Sequence, residues 1–276
     1  MAHFFRIVFL FMLVAFLAII AFGLTGCSSA EKAKEDNRPP EEIYREAKFE
    51  LDRENFEKSS QLFDEIERQF PYSEWSSKAE IMAAYSYFQD EKFDDAIMAL
   101  DRFIQLHPGN KNTPYAYYLR ALCYYYQISD VYRDQKMTLL ARDALAEVVR
   151  RFPDSAYAKD ARIKYDLTVD HLAGKQMAVG RYYLNQGLYL AALNRFLTVA
   201  AEYQTTTHIE EALYRLTECY SILGLRKEAV RTAAVLGYNY PDSEWYEMAY
   251  KIAEADKEEL AGIKEKEGDT WFGFKF

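Results

Sequence analysis

Residues Ser77–Pro108 read SKAEIMAAYSYFQDEKFDDAIMALDRFIQLHP. The apolar spacing predicts two antiparallel helices joined by a short turn. Small side chains fall where two helices cross closely, Ala84 on the first and Ala96 on the second. Tyr87, Phe93, Leu100 and Phe103 flank them, and Pro108 closes the unit. With Ser77 as position 1, alanine stands at 8 and 20, aromatic residues at 11 and 17, and proline at 32.

This spacing resembles the tetratricopeptide (TPR) unit, whose period is about 34 residues. One such unit cannot bury its apolar face alone, so copies are expected on both sides. The first runs from Pro40 to Pro71, with Ala47 at position 8, Ser59 at 20, Phe63 at 24 and Ile66 at 27. Ser77–Pro108 is the second, with Ser77 and Glu80 as a capping box and Asp94 and Asp95 in the first turn of its second helix. The third begins at Pro114, with Ala121 at position 8, and its second helix comes late, through Ala141, Leu145 and Val148 to Pro153. Pro71 and Pro108 are 37 residues apart, whereas Pro108 and Pro153 are 45 apart, so about eight residues are inserted around Ser129–Lys136. Such an insertion projects to one face of a solenoid.

Ala156–Leu172 is helical in period but lacks a clean second helix, and is expected to run into the fourth repeat, Ala173–Thr206. There Gly180 takes position 8, Tyr189 position 17, Ala192 position 20 and Phe196 position 24. The fifth repeat is Glu210–Pro241, preceded by a second capping-box pair, Thr207 and Glu210. A capping helix is expected from Glu244 to Ala261, then a loose tail from Lys264 to Phe276. Three inter-repeat turns share a pattern: Phe70-Pro71-Tyr72-Ser73, Phe152-Pro153-Asp154-Ser155 and Tyr240-Pro241-Asp242-Ser243. Each stops a helix with proline and offers a serine hydroxyl to start the next. The fold expected is all-α: a right-handed superhelical solenoid of five TPR-like repeats.

The chain has 276 residues, 50% hydrophobic and 28% charged, with a formal net charge of −9. That acidity speaks against a nucleic-acid partner, which needs clustered Lys and Arg. Arg6 precedes an apolar run from Ile7 through Leu24, a pattern shared by secretory leaders and membrane anchors. Leu24-Thr25-Gly26-Cys27 resembles the bacterial lipoprotein processing box and implies that residues 1–26 are a signal peptide and Cys27 the lipidated N-terminus. Ser28 after the cysteine implies outer-membrane sorting. Residues 27–39 are polar and proline-closed and read as a flexible tether. Cys123 and Cys219 each fall at position 10 of a first helix, in separate repeats, and read as buried apolar side chains. No Cys or His spacing suggests a metal site, and no cofactor motif is present.

Carboxylate pairs such as Glu41/Glu42 and Asp94/Asp95 have no nucleophile, metal triad or glycine loop to work with, so they read as solvated faces and the chain as a non-enzyme. Binding is the better reading. The concave wall of a TPR solenoid is lined by first helices, chiefly at positions 2, 5, 9, 12 and 13. Those positions carry Tyr44 and Lys48, then Tyr85 and Phe88, then Tyr115, Tyr118 and Tyr125. A tyrosine-rich groove suits extended peptides; alternatively, these rings pack between repeats. Residues 40–156, the first three repeats, are the candidate substrate groove. Residues 157–262 carry Arg181, Arg195, Arg215 and Arg226, candidates for docking a protein partner through its carboxylates. The aromatic tail, residues 263–276, ends Thr270-Trp271-Phe272-Gly273-Phe274-Lys275-Phe276 and looks like the terminal strand signal of outer-membrane β-barrels.

The lipobox, the tether and the blocks EEIYREAKFEL, AAYSYFQDEKFDDAIMALDRFIQLHP and RRFPDSAYAKDA together resemble the BamD (ComL-type) family of outer-membrane β-barrel assembly lipoproteins. The resemblance implies a lipid-anchored protein on the periplasmic face of the outer membrane of a Gram-negative bacterium. It implies docking of the later repeats on a BamA-type barrel subunit, alongside other lipoproteins of the assembly complex, and reception of unfolded outer-membrane proteins by the earlier ones. The competing reading is a periplasmic TPR scaffold lipoprotein that coordinates envelope or peptidoglycan enzymes.

Overall fold

The computed structural model describes residues 37–268. Lipidation at Cys27, the leader and most of the tether, like the last residues of the tail, lie outside the described residues. From Pro39 onward the chain is one unit. Its helices are α1 (Pro40–Asp52), α2 (Phe56–Gln69), α3 (Ser76–Gln89), α4 (Phe93–Leu106), α5 (Thr113–Tyr125), α6 (Lys136–Arg151), α7 (Ala158–Asn185), α8 (Tyr189–Glu202), α9 (Ile209–Ile222), α10 (Arg226–Asn239) and α11 (Glu244–Gly268). Each packs on the next, and there is no strand among the described residues. This is the helical repeat solenoid that the spacing of Ser77–Pro108 predicts.

The register explains the packing. Position 20 is fully buried in all five repeats, as Ser59, Ala96, Ala141, Ala192 and Ala229. So is position 27 or its equivalent: Ile66, Phe103, Val148, Val199 and Leu236. Only a small side chain lets the second helix approach the first, and the large ones then fill the seam between neighbouring pairs. Ser59 is tolerated at a crossing because its hydroxyl donates to the Ala47 carbonyl at 2.9 Å and meets Ser86 Oγ at 3.0 Å. At Gly180 a Cβ would lie 2.5 Å from the Phe196 ring, so this crossing is closer than the alanine crossings.

Turns within the first, second, fourth and fifth repeats put position 15 in the left-handed region: Glu54 at φ 61°, Glu91 at 57°, Gly187 at 72° and Gly224 at 75°. Glycine takes this conformation freely, and glutamate does so at a cost.

Several expectations need correction. Neither capping box forms. The residue before α3 is Trp75 and the residue before α9 is His208, both without a side-chain cap. Ser76 rather than Ser77 faces Glu80, at 3.3 Å, and Thr207 bonds Asp170 through its amide at 3.0 Å and its hydroxyl at 2.8 Å. In the proline turns the hydroxyls of Ser73 and Ser155 make no hydrogen bond. Backbone bonds do the work there: the Ser73 amide donates to Phe70 O at 3.0 Å, and the Ser155 amide to Phe152 O at 3.0 Å. Ser243 alone of the three lends its oxygen, to the Trp245 amide at 3.3 Å. Finally, α11 runs seven residues past Ala261, so the tail expected from residue 263 or 264 begins as helix.

Ala156–Leu172 does continue into the fourth repeat, as one helix of 28 residues. Its first half packs through Ala161 and Tyr165 beside Leu145 and Val148 of α6. Its second half packs through Leu172, Ala173 and Met177 on α8. The insertion closes on itself: Asp130 accepts from the Tyr132 amide at 2.8 Å and Asp134 from the Lys136 amide at 3.0 Å. Lys175 on α7 reaches the Arg133 carbonyl at 3.4 Å.

Candidate functional site

The first helices α1, α3, α5 and α7 bring most of the sequence-predicted aromatic residues into ring contact. Tyr115 and Tyr118, one turn apart on α5, both meet Tyr157, the residue before α7. The centroid distances are 5.4 and 5.2 Å, and the Tyr118 pair is stacked at 20°. Tyr118 donates its hydroxyl to Asp160, which also accepts from Lys164 at 2.7 and 2.8 Å. Burial pushes the Asp160 carboxyl up, but the bonds from Lys164 and Tyr118 outweigh it and hold the group below its ordinary value. Burial, then Asp160, pushes the Tyr118 hydroxyl well up, so it stays a neutral donor. The Tyr115 hydroxyl is raised by burial first and then by the neighbouring Tyr85 and Tyr157, so Tyr85 of α3 adjoins the same cluster. Tyr85 also accepts a hydrogen bond from Gln89.

Phe88 is not a free groove residue. It packs edge-on against Phe93 at 5.9 Å and Tyr126 at 5.6 Å. Tyr126 in turn meets Tyr125 at 5.8 Å, and Lys164 lies 5.8 Å over the Tyr125 ring. Tyr44 packs on Phe63 at 5.2 Å and Trp75 at 5.0 Å. Lys48 is exposed and enters none of these ring contacts among the described residues. The result is a wall of half-buried rings, with Asp160 and Lys164 as its charged pair.

Three of these contacts follow one rule that the sequence reading missed. Position 5 of the first helix is tyrosine in the first, third and fifth repeats: Tyr44, Tyr118 and Tyr214. Each packs on the aromatic residue that follows its repeat's proline turn: Trp75, Tyr157 and Trp245, the last at 5.3 Å. The signal was legible, because each of those aromatics stands two residues beyond the serine of a shared Pro-x-Ser turn. In the second and fourth repeats position 5 is Ile81 and Met177, and Asn112 and His208 precede the next helices. So Tyr44 and Tyr118 serve inter-repeat packing as well as the wall.

The four arginines are not a free basic face. Arg181 binds Glu211 at 2.7 Å. Arg215 binds Glu211 at 3.4 Å and Glu218 at 2.9 Å, and lies 5.0 Å over Tyr214 and 5.7 Å over Trp245. Arg226 binds Glu259 at 2.5 Å, with Asp256 at 3.8 Å. Only Arg195 has a neutral partner, Gln176 at 3.2 Å, and keeps its charge uncompensated among the described residues.

Cys123 and Cys219 are unpaired and fully buried, as expected, and burial pushes their thiols up to about 12 and about 11. No group of ligating side chains that could hold a metal occurs among the described residues, and none of their helices is long and apolar enough to cross a membrane.

Repeated helix pairs with a ring-lined wall on the first helices define a helical repeat solenoid of the TPR type. Residues 36–236 match the model of a protein family described as YfiO, outer membrane lipoprotein. The chain is 47% identical over 239 residues to the outer membrane protein assembly factor BamD of Caulobacter vibrioides, covering 85% of this chain and 78% of that one. It is 45% identical over 240 residues to BamD of Rickettsia prowazekii, covering 87% and 96%. Among solved structures, the P58(IPK) TPR domain is similar with a TM-score of 0.40 at 16% identity, covering 79% of this chain and 59% of that one. The chain belongs to the BamD (YfiO) family of outer membrane lipoproteins.

Proposed function

We propose that this chain is a non-enzymatic outer-membrane-protein assembly factor whose ring-lined wall receives unfolded outer-membrane proteins. The observation that carries this reading is the cluster of Tyr85 on α3, Tyr115 and Tyr118 on α5 and Tyr157 just before α7, half-buried and tied to Asp160 and Lys164. Rings held in place by their neighbours offer area and hydroxyls to an extended peptide at low entropic cost. The names of the Caulobacter and Rickettsia relatives point the same way.

Lipidation at Cys27 would hold the scaffold on the periplasmic face of the outer membrane, since two or more acyl chains anchor stably. The later repeats would dock on a BamA-type barrel subunit, with Arg195 the arginine left free to meet a carboxylate. Arg181, Arg215 and Arg226 would shape that surface through their own ion pairs.

Changing Tyr85 and Tyr118 together to alanine is expected to weaken crosslinking to a peptide that ends in an aromatic strand signal by about tenfold, equivalent to about 1.4 kcal/mol. Circular dichroism checks the fold. Unchanged crosslinking on an intact fold would place the substrate elsewhere.

A further inference from the structure

A TPR unit sets a second helix against each first helix. The first half of α7 packs on α6 as a first helix does. Yet no second helix follows it among the described residues: α7 runs straight on, and α8 covers only its second half. The side left open carries Ile163 and Leu167, one turn apart and 52% and 55% exposed. They floor a cavity of about 590 Å³ rimmed by Asp166, Asp170 and the turn at 205–207. Leu167 also lines a second cavity, of about 320 Å³, with Tyr126 and His171. The His171 Nε2 is buried there without a hydrogen-bond partner, which is costly unless something bonds it.

The charge at this place is negative. Asp170 is held by Thr207 and lies 3.7 Å from His208 Nε2, whereas Asp166 makes no ion pair among the described residues. From Ala158 to Asp170 the open side is about 18 Å long at 1.5 Å per residue, room for three helical turns. The chain's own second helices show what such a seat takes. On α8 the fully buried residues are Ala192, Phe196 and Val199, a small residue followed by large ones at i+4 and i+7.

We propose that the first half of α7 seats an amphipathic helix of a partner protein in the place of the missing second helix. That helix would turn small and bulky apolar residues onto Ile163 and Leu167 and an Arg or Lys toward Asp166. A hydrogen bond from it would satisfy His171. This goes beyond the substrate wall: the seat adjoins the wall only where Leu167 and His171 share a cavity with Tyr125 and Tyr126, and Ile163 and Asp166 take no part in the ring cluster.

The test uses the full chain in detergent and fluorescence anisotropy of a labelled panel of three-turn peptides. Each carries the Ala, Phe, Val spacing of α8 with two arginines on one flank. Saturable binding is expected, weakened about tenfold by Asp166→Arg and lost with Leu167→Ser. A peptide with its arginines changed to glutamate is expected to bind Asp166→Arg better than the unchanged chain, which a merely structural effect would not produce. Tyr85→Ala, a change in the wall on α3, is expected to leave this binding unchanged, so failure here and failure of the substrate wall are distinguishable. Three results would overturn the proposal. One is that the panel does not bind, or binds without regard to Asp166 and Leu167. Another is self-association that Leu167→Ser abolishes, which would assign the face to a second copy. The third is full displacement by a peptide of residues 269–276, which would assign it to the chain's own tail.

Discussion

The wall of the first three repeats is built of rings on rings, and the corresponding surface of the last two is built of guanidiniums on carboxylates. Tyr115 and Tyr118 against Tyr157 keep half-buried faces that a second molecule can still cover. Arg181 and Arg215 converge on Glu211, and Arg226 is taken by Glu259, so little of that charge is left for a partner. One half therefore leaves rings partly open on its first helices, whereas the other, with Arg181 and Arg215 on first helices and Arg195 and Arg226 on second helices, satisfies most of its charge from within. The halves also differ in how the backbone is accommodated. The first three repeats cross at alanine and the first two turn through glutamate, whereas the fourth repeat crosses and turns at glycine.

Swapping residues between the halves tests this contrast. Gly180→Ala puts the early repeats' crossing residue into the fourth repeat, where its Cβ would meet the Phe196 ring at 2.5 Å. Overpacking of this kind costs about 2–3 kcal/mol, read as a lower urea midpoint. Arg215→Met removes the guanidinium and leaves Glu211 and Glu218 without it, and a loss of about 2 kcal/mol is expected in the same measurement. On the aromatic side, Tyr118→Phe keeps the ring stack and deletes one charge-assisted hydrogen bond, for a loss of about 1 kcal/mol.

That last difference depends on pH. The Asp160 carboxyl is lowered in the folded chain, so its contribution is complete above the ordinary carboxylate pKa of about 3.9 and is lost as pH falls through the lowered value. The gap between Tyr118→Phe and the unchanged chain should accordingly be full at neutral pH and close in acid. The smallest effect is a gain. Glu91→Gly gives a left-handed turn, φ 57°, the residue that the fourth and fifth repeats use, and should stabilise by about 0.5–1 kcal/mol.

How far the sequence could be read depends on separation along the chain. Small residues at positions 8 and 20 act within one helix pair, and the large ones at 24 and 27 recur at the same spacing in each pair, so a single repeat was enough to locate the others. Tyr44, Tyr115 and Tyr118 were legible as wall residues by the same register. Their partners Trp75 and Tyr157 were not, since they belong to the next repeat and the shared turn was read only as far as its serine. The arginines show the limit most clearly. Glu211 lies 30 residues from Arg181, and Glu259 lies 33 from Arg226, so these pairings depend on how successive repeats stack. The capping boxes failed for a related reason: backbone bonds of the preceding turns, from the Ser73 amide to Phe70 O and from the Thr206 amide to Tyr203 O, already deliver the chain into α3 and α9.

The central claim is that the two halves divide their tasks. It is tested by placing a photo-crosslinking amino acid at Tyr85 in one sample and at Arg195 in another, each mixed with the same unfolded outer-membrane protein and a BamA-type subunit. The unfolded chain should crosslink at 85 and the barrel subunit at 195. Equal capture of the unfolded chain at both positions, or the reverse assignment, would contradict the account.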